Sequence, residues 1–453
     1  MNVFDFLVVF LRAAPLGYDN DRFMLNALVK KRALEIGFDL VGIAPVEANG
    51  DLKFSREWVE RGYGGEMRYL ENPKRDDPRR ILPSAQSVIC VGLIYNADRP
   101  YSVEVRSHES GARTKKEEEA QQDKVFKIAG RNSKAETGHS SLATSNSSVK
   151  GDHGWISRYA WGTDYHHVMR AKLEQLRTAV EELAPGTDTR VYVDTGPIVE
   201  RAFARLSGIG WTGKNTCLIN QSKGSWFFLG VMLTSLALAP DLPAPDRCGS
   251  CTACIEACPT DALVHPYVMD ASRCIAYLNI ELKGSIPETF RSAIGANVVG
   301  CDICQDVCPW NGRRSQEPGV RSQSKTGDKL SAVSKQRRET ATTQIPEFQP
   351  LQVQPSTTGN NFSLFNPSLE ELASLDENDF RRIFRRSPIK RLKYRGWLRN
   401  ICVAMGNSGD SRFLPKLQCL REHAEPVVRE HADWGIAQIA RAMQQLQSIR
   451  PSN

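Results

Sequence analysis

From Met24 onward the apolar positions fall in short, regular groups. Leu25, Leu28, Val29, Ala33 and Ile36 recur at helical spacing on one face, and Gly37 supplies the stop. Asp39 to Ala44 reads as a buried strand, and Ser87 to Tyr95 (SVICVGLIY) as a second, rich in β-branched residues. After Trp155 an amphipathic helix is predicted through Leu183. A short strand follows over Arg190 to Val193, then a helix to about Leu206, closed by Gly208 and Gly210. Thr216 to Asn220 and Ser225 to Leu238 read as further strands. Helices alternating with strands predict an α/β unit. The pattern lapses twice. Val103 to Asp152 is rich in Lys, Glu, Ser, Gly and Asn and reads as a surface insertion; Gly312 to Gln344 is polar and basic and reads as a linker. The chain closes in helices, where the segments beginning at Arg399 and Arg429 look like two copies of one helix, the spacing of a short HEAT-like repeat.

Composition narrows the class. The 453 residues are 41% hydrophobic and 25% charged, which rules out a wholly disordered or fibrous chain. No apolar run reaches the roughly 18 residues a membrane span needs. Met1 to Leu11 is apolar but short, carries Asp5 and lacks a basic start, so no secretory signal is predicted. The expectation is a soluble, cytoplasmic protein with no membrane partner. The net charge of +7 is mild, yet Arg381 to Arg399 holds nine basic residues and no acid, interleaved with Phe384, Tyr394 and Trp397. Such a stretch suits phosphates and bases. It equally suits a helix whose aromatics face the core and whose arginines face water, and the sequence leaves both readings open.

Eight of the twelve cysteines crowd between Cys248 and Cys308. In a chain without a secretory signal this favours metal or redox chemistry over disulfides. Cys248-x2-Cys251-x2-Cys254-x3-Cys258-Pro259 is the bacterial ferredoxin run, in which three thiolates hold one cubane cluster and the fourth reaches to another. Cys301-x2-Cys304-x3-Cys308-Pro309 repeats it with Val298 in place of the first cysteine. Cys274 supplies the eighth thiol, the number two four-iron clusters require. Ferredoxin logic assigns Cys248, Cys251, Cys254 and Cys308 to one cluster, and Cys258, Cys274, Cys301 and Cys304 to the other. Structural zinc is the alternative, but zinc sites usually pair two separated Cys-x2-Cys units. Cys90, Cys217, Cys402 and Cys419 lie in apolar surroundings and read as packing residues.

Several further motifs occur in a fixed order: Asn72-Pro-Lys-Arg75-Asp-Asp-Pro78, Tyr159-Ala-Trp-Gly-Thr-Asp-Tyr-His166, Val193-Asp-Thr-Gly-Pro197 with Glu200-Arg201, Gly208-Ile-Gly-Trp-Thr-Gly-Lys214-Asn215 and Arg273-Cys274-Ile275. Together with the cysteine runs they resemble the epoxyqueuosine reductases. The resemblance covers roughly Met24 to Trp310 apart from the insertion, and the helical tail more loosely. It implies an N-terminal extension (1–23), a cobalamin-binding α/β domain (24–240) with the insertion 103–152, a ferredoxin-like two-cluster iron–sulfur domain (241–311), a linker (312–360) and a C-terminal α-helical HEAT-like repeat domain (361–453). The implied reaction is a two-electron reduction of epoxyqueuosine to queuosine on the wobble base of tRNA. Two 4Fe-4S clusters, base-off cobalamin and an external electron donor would serve it, in a monomer. Asp194 matches the family's proton donor, and burial beside the corrin is expected to raise its pKa. Arg75, Ser157, Lys214, Asn215 and Ser225 match cofactor-facing positions. Read without the family, Asp194 is a turn residue and Arg75 a surface charge. The other four then fall at turns and strand ends, and His166 and His167 read as structural. The alternative activity is that of a related cobalamin and iron–sulfur reductase of the dehalogenase kind, acting on a small molecule; another is a tethered electron carrier.

Overall fold

The computed structural model describes residues 18–47, 50–105, 151–312, 341–356 and 360–449. Helix α1 (Tyr18–Glu35) leads into strand β1 (Leu40–Pro45), with Gly37 at φ 90° making the left-handed turn that only glycine takes without strain. The helix starts before Met24, so part of the segment set apart as an extension belongs to the fold. Helix α2 (Gly50–Glu60), strand β2 (Ser87–Ile94), helix α3 (Tyr165–Leu183), strand β3 (Thr189–Tyr192), helix α4 (Glu200–Leu206) and strand β4 (Phe227–Thr234) follow. The strands form one sheet in the order β1-β2-β4-β3, each pair antiparallel.

Every residue of β2 is buried, which is why its run is apolar without alternation. One face of the sheet packs Ile89, Val91 and Met232 against Val29 and Ala33 of α1 and Met169, Leu173 and Leu176 of α3. The other packs Val88, Cys90 and Val231 against Ala202 and Phe203 of α4. One expected strand is shifted and another comes out shorter. β3 ends at Tyr192, one residue before its expected end, and Asp194 just beyond it turns to φ 56°; only Leu218–Ile219 is extended in its segment because Thr216 sits at φ 63°.

Beyond the sheet, short helices α5 (Ala253–Glu256) and α7 (Ile303–Asp306) flank helix α6 (Glu288–Ile294). Trp155–Ile156 pairs in parallel with Asn297–Val299. The tail holds α8 (Leu369–Ser374), α9 (Glu377–Ile383), α10 (Lys393–Ser408), α11 (Leu414–Arg421) and α12 (Pro426–Ile449). The segments expected to be copies of one helix lie in α10 and α12. These cross at Gly406 and Gly435, where a Cβ on Gly406 would stand 2.7 Å from the Gly435 Cα. No described helix is long and apolar enough to cross a membrane.

The two patternless segments are ordered at their ends. Ser102 to Val105 is helical, Arg412 pairs with Asp152 at 3.0 Å, and residues 106–150 lie outside the described residues. At the far end of the linker Phe348 is buried in the core between the sheet and α3.

Candidate functional site

The two cysteine runs fold alike. In the first, the N–H groups of Ile255 and Glu256 donate to the carbonyl of Thr252, and that of Cys258 to Ile255. In the second, Gln305 and Asp306 donate to Asp302, and Cys308 to Gln305. Each run folds around one helical turn, holding Cys254 or Cys304, and stops at Pro259 or Pro309.

Cys248, Cys251, Cys254 and Cys308 line a single cavity of about 240 Å³, with Lys214, Asn215, Ile219 and Trp310 completing the wall. A single tetrahedral ion holds its thiolates about 2.3 Å from its centre and leaves no such space. A cubane needs it. Burial raises the Cys254 thiol to about 11, with Cys251 and Cys248 adding to the rise. Cys308 is pushed up to about 12 by burial, with Cys248 and Cys254 among the neighbouring thiols that add to it. In the other group burial raises Cys274, with Cys258 adding; Cys304 rises through its contact with Cys217, then burial, then Cys301 and Cys274. The four cysteines that line the cavity are the four expected to share one cluster.

Two of the supposed packing cysteines behave otherwise. Cys217 lies against Cys304, and Cys419 is exposed, whereas Cys90 and Cys402 are buried.

Four sequence-chosen residues gather on the cysteine segment. Ser157 is 4% exposed and its hydroxyl donates to Asp302. Lys214 Nζ donates to the carbonyls of Gly249 and Cys251 at 2.6 and 2.9 Å. The Asn215 amide donates to the carbonyl of Cys304 at 3.1 Å. Ser225 receives Gln305 Nε2 at 2.9 Å and Asn311 Nδ2 at 3.0 Å. Their polar atoms are thus spent on holding the cysteine-bearing loops.

Asp194 and Arg75 form a separate group. Asp194, with 53% of its side chain exposed, receives the Tyr165 hydroxyl on Oδ2 at 2.9 Å and faces His166 Nε2 at 3.7 Å. Glu200 Oε1 accepts the Asp194 backbone N–H at 2.5 Å, and Arg75 Nη1 donates to the carbonyl of Gly196 at 3.3 Å. Burial alone would raise Asp194, but His166 and Tyr165 outweigh it and hold the carboxyl below its ordinary value. Burial and the Asp194 charge push Glu200 up to about 8 instead. Two neighbouring carboxyls with pKa values driven apart mark acid–base chemistry.

The sequence reading missed Glu200, Tyr165, His166 and Asp164. It also missed Arg391, which stands over the half-exposed ring of Tyr69 at 5.8 Å and bonds Glu281 at 2.8 Å. In the basic stretch Phe384 and Trp397 are fully buried and Tyr394 partly so, whereas its cations other than Arg399 are exposed.

A family model described as a 4Fe-4S double cluster binding domain matches residues 247–311, and one described as epoxyqueuosine reductase QueG, DUF1730 matches residues 135–195. Epoxyqueuosine reductase of Xanthomonas campestris is 34% identical over 417 residues, 91% of this chain and 95% of its own. A solved epoxyqueuosine reductase bound to an epoxyqueuosine-modified stem loop of tyrosine tRNA superposes with TM-score 0.67 at 26% identity. The match covers 95% of this chain and 96% of that one. The Bacillus subtilis enzyme, solved with its catalytic aspartate loop swung out of the active site, gives TM-score 0.66 at 25% identity over the same shares.

Proposed function

The chain belongs to the epoxyqueuosine reductase family, and from that premise we infer that it reduces epoxyqueuosine in tRNA to queuosine. The observation that carries the reading is the likeness along nearly the whole chain to an enzyme solved with the modified stem loop. Taking the epoxide oxygen away as water consumes two electrons and two protons, so the site must supply both.

The two cysteine foursomes hold the 4Fe-4S clusters, and cobalamin is the group that joins them to the substrate. When bound, clusters and cobalamin together supply the two electrons, drawn singly from an external donor. Arg75 fits the corrinoid: its side chain makes one hydrogen bond among the described residues, at 3.3 Å, which leaves most of its donors for the amide groups at the corrin rim. Ser157, Lys214, Asn215 and Ser225 act as the floor that fixes the cluster loops beneath it.

Asp194 stands where the departing oxygen needs a proton. Its left-handed φ, held by Glu200, is a conformation a loop leaves readily, in keeping with the relative whose catalytic aspartate loop swings out. The exposed cations of the tail, Arg385 and Arg386, on the turn that follows α9, meet the RNA backbone, and the crossed pair α10 and α12 forms the HEAT-like repeat behind them.

The decisive experiment incubates reduced, cobalamin-loaded protein with tRNA carrying epoxyqueuosine and weighs the nucleosides. Loss of one oxygen is expected. Unchanged epoxyqueuosine, with clusters and corrinoid shown to be in place, overturns the reading.

A further inference from the structure

Asp194 can pass on only one proton at a time, and it is ionised at rest. Something beside it has to hold protons at neutral pH. His166 meets that need by its position. Its Nδ1 pairs with Asp164 Oδ1 at 2.6 Å, and Asp164 Oδ2 in turn receives Lys390 Nζ at 2.9 Å from the helical tail. That pairing aims Nε2 the other way. Nε2 is buried with no partner at hydrogen-bond distance, and the nearest acceptor is Asp194 Oδ2 at 3.7 Å. The ring is also fixed in plane, stacked on Tyr165 at 4.3 Å, which itself stacks on Phe228 at 4.1 Å. An N–H kept dry and aimed at a carboxylate just beyond bonding distance is a transfer path with one short gap.

The charges around the ring agree. Asp164 on its own helix and Asp194 on the facing loop both favour the imidazolium and together outweigh its burial, raising it to about 9. Tyr165 meets the same Asp194 oxygen, and Lys390 approaches from the tail onto Asp164. Glu200 and Arg391 act on Asp194 from its far sides.

Resting on the reductase reading above, we propose that His166 is the proton reservoir of the reaction, a positioning and relay residue that acts through Asp194. Breaking the first carbon–oxygen bond leaves an alkoxide, a far stronger base than either group. The proton reaches it from His166 Nε2 by way of Asp194 Oδ2. The neutral imidazole keeps its Nδ1–H on Asp164 and recovers its Nε2 proton from solvent by way of Asp194, whose side chain is half exposed. The same passage, repeated, turns the second departing oxygen species into water. Two electrons enter from the donor through the clusters, two protons enter through His166, the epoxide is reduced to the alkene, and one water leaves.

The test pairs single-turnover rates against pH, on an epoxyqueuosine stem loop, with NMR of histidine-labelled protein. In the wild type the His166 resonance should report an imidazolium throughout the neutral range, and the rate should fall only on the alkaline side. Asp164→Asn keeps the helix cap, since Asn caps as well as Asp. It should lower the His166 titration and move the alkaline fall of the rate with it. His166→Gln should slow turnover at neutral pH by roughly a hundredfold, within the range of general acid catalysis. Its rate should then climb toward acid, with RNA affinity and cluster spectra unchanged. His166→Gln with the wild-type rate and pH profile overturns the proposal. So does a wild-type His166 that titrates at its ordinary value while the alkaline fall stays where it was. Should the wild type itself fail to deoxygenate the stem loop, the reductase reading fails instead, and the titration still reports on the relay geometry.

Discussion

Glu200 holds Asp194 by the backbone: its Oε1 accepts the Asp194 N–H at 2.5 Å, and the residue so held carries φ 56°. A non-glycine residue in that region costs roughly 1 kcal/mol or more and persists only where neighbours fix it. The helix start at Glu200 is thus the clasp of the loop that bears the acid.

The clasp has a pH signature. Glu200 is raised from 4.5 to about 8, so it stays protonated in the folded chain where the unfolded chain has already ionised. The folded state then binds more protons between those values, and its stability falls as pH rises through that window. Glu200→Gln removes the titration. Thermal unfolding followed from pH 5 to pH 8 should show the variant gaining on the wild type as pH rises. A constant difference across the window would mean that Glu200 ionises normally. Turnover should fall about tenfold in Glu200→Ala, which cannot hold the loop, with substrate affinity less affected.

The cysteine assignment makes a sharper distinction. Cys274 and Cys217 both stand close to Cys304, yet only Cys274 is a ligand in the reading proposed above. Cys274→Ser should yield protein with about half the iron and one cluster signal by electron paramagnetic resonance. Cys217→Ser should keep the full iron content and shift at most the potential of the cluster at Cys304. The reverse result would exchange their roles.

What the sequence told, and what it withheld, divides along range. The cysteine runs were legible because a cluster's corners are reached from one helical turn, so spacing alone carries the geometry. Most strand ends were legible to within a residue or two for the same local reason, though the strand expected to run to Leu238 stops at Thr234. The proton site was legible only in part: the resemblance marked Asp194 but none of its partners. His166 and Asp194 meet from different elements, and the Lys390 that fixes Asp164 lies 226 residues away in the tail. A histidine in a plain helical motif gave no sign of that meeting. The basic stretch left two readings open, and the burial of Phe384 and Trp397 decides that these aromatics belong to the core.

Arg399 marks the join between tail and cysteine segment. It is 1% exposed and donates to the carbonyls of Leu282, Gly284 and Leu278 at 2.8, 2.7 and 3.0 Å. Burial lowers its pKa to about 10, which still leaves it charged at neutral pH. Arg399→Ala would strand those carbonyls in a dry interface at about 1–3 kcal/mol each. A loss of at least about 3 kcal/mol in chemical denaturation is expected. The tail should also become accessible to protease before the sheet does. A loss below about 1 kcal/mol would show that water reaches the join.

The outward cations of the tail give the last test. Arg381 and Arg382 are paired with Glu377 and Asp379, both at 2.6 Å, so their charge is largely answered within the protein. Arg385 and Arg386 are exposed, with no ion-pair partner among the described residues, and the carbonyl of Arg386 accepts the N–H of Asp164 in the proton site at 2.7 Å. A phosphate bound there would sit close to the chemistry. Each phosphate neutralised releases about 0.7–0.9 counterions. Replacing both residues with Ser should therefore weaken stem-loop binding and flatten the slope of log affinity against log salt by about 1.5. The paired Arg381→Ser and Arg382→Ser variants should change the slope far less, because freeing Glu377 or Asp379 adds a negative charge but removes no phosphate contact. Equal slopes for all variants would return the whole stretch to solvation and leave RNA binding to another face.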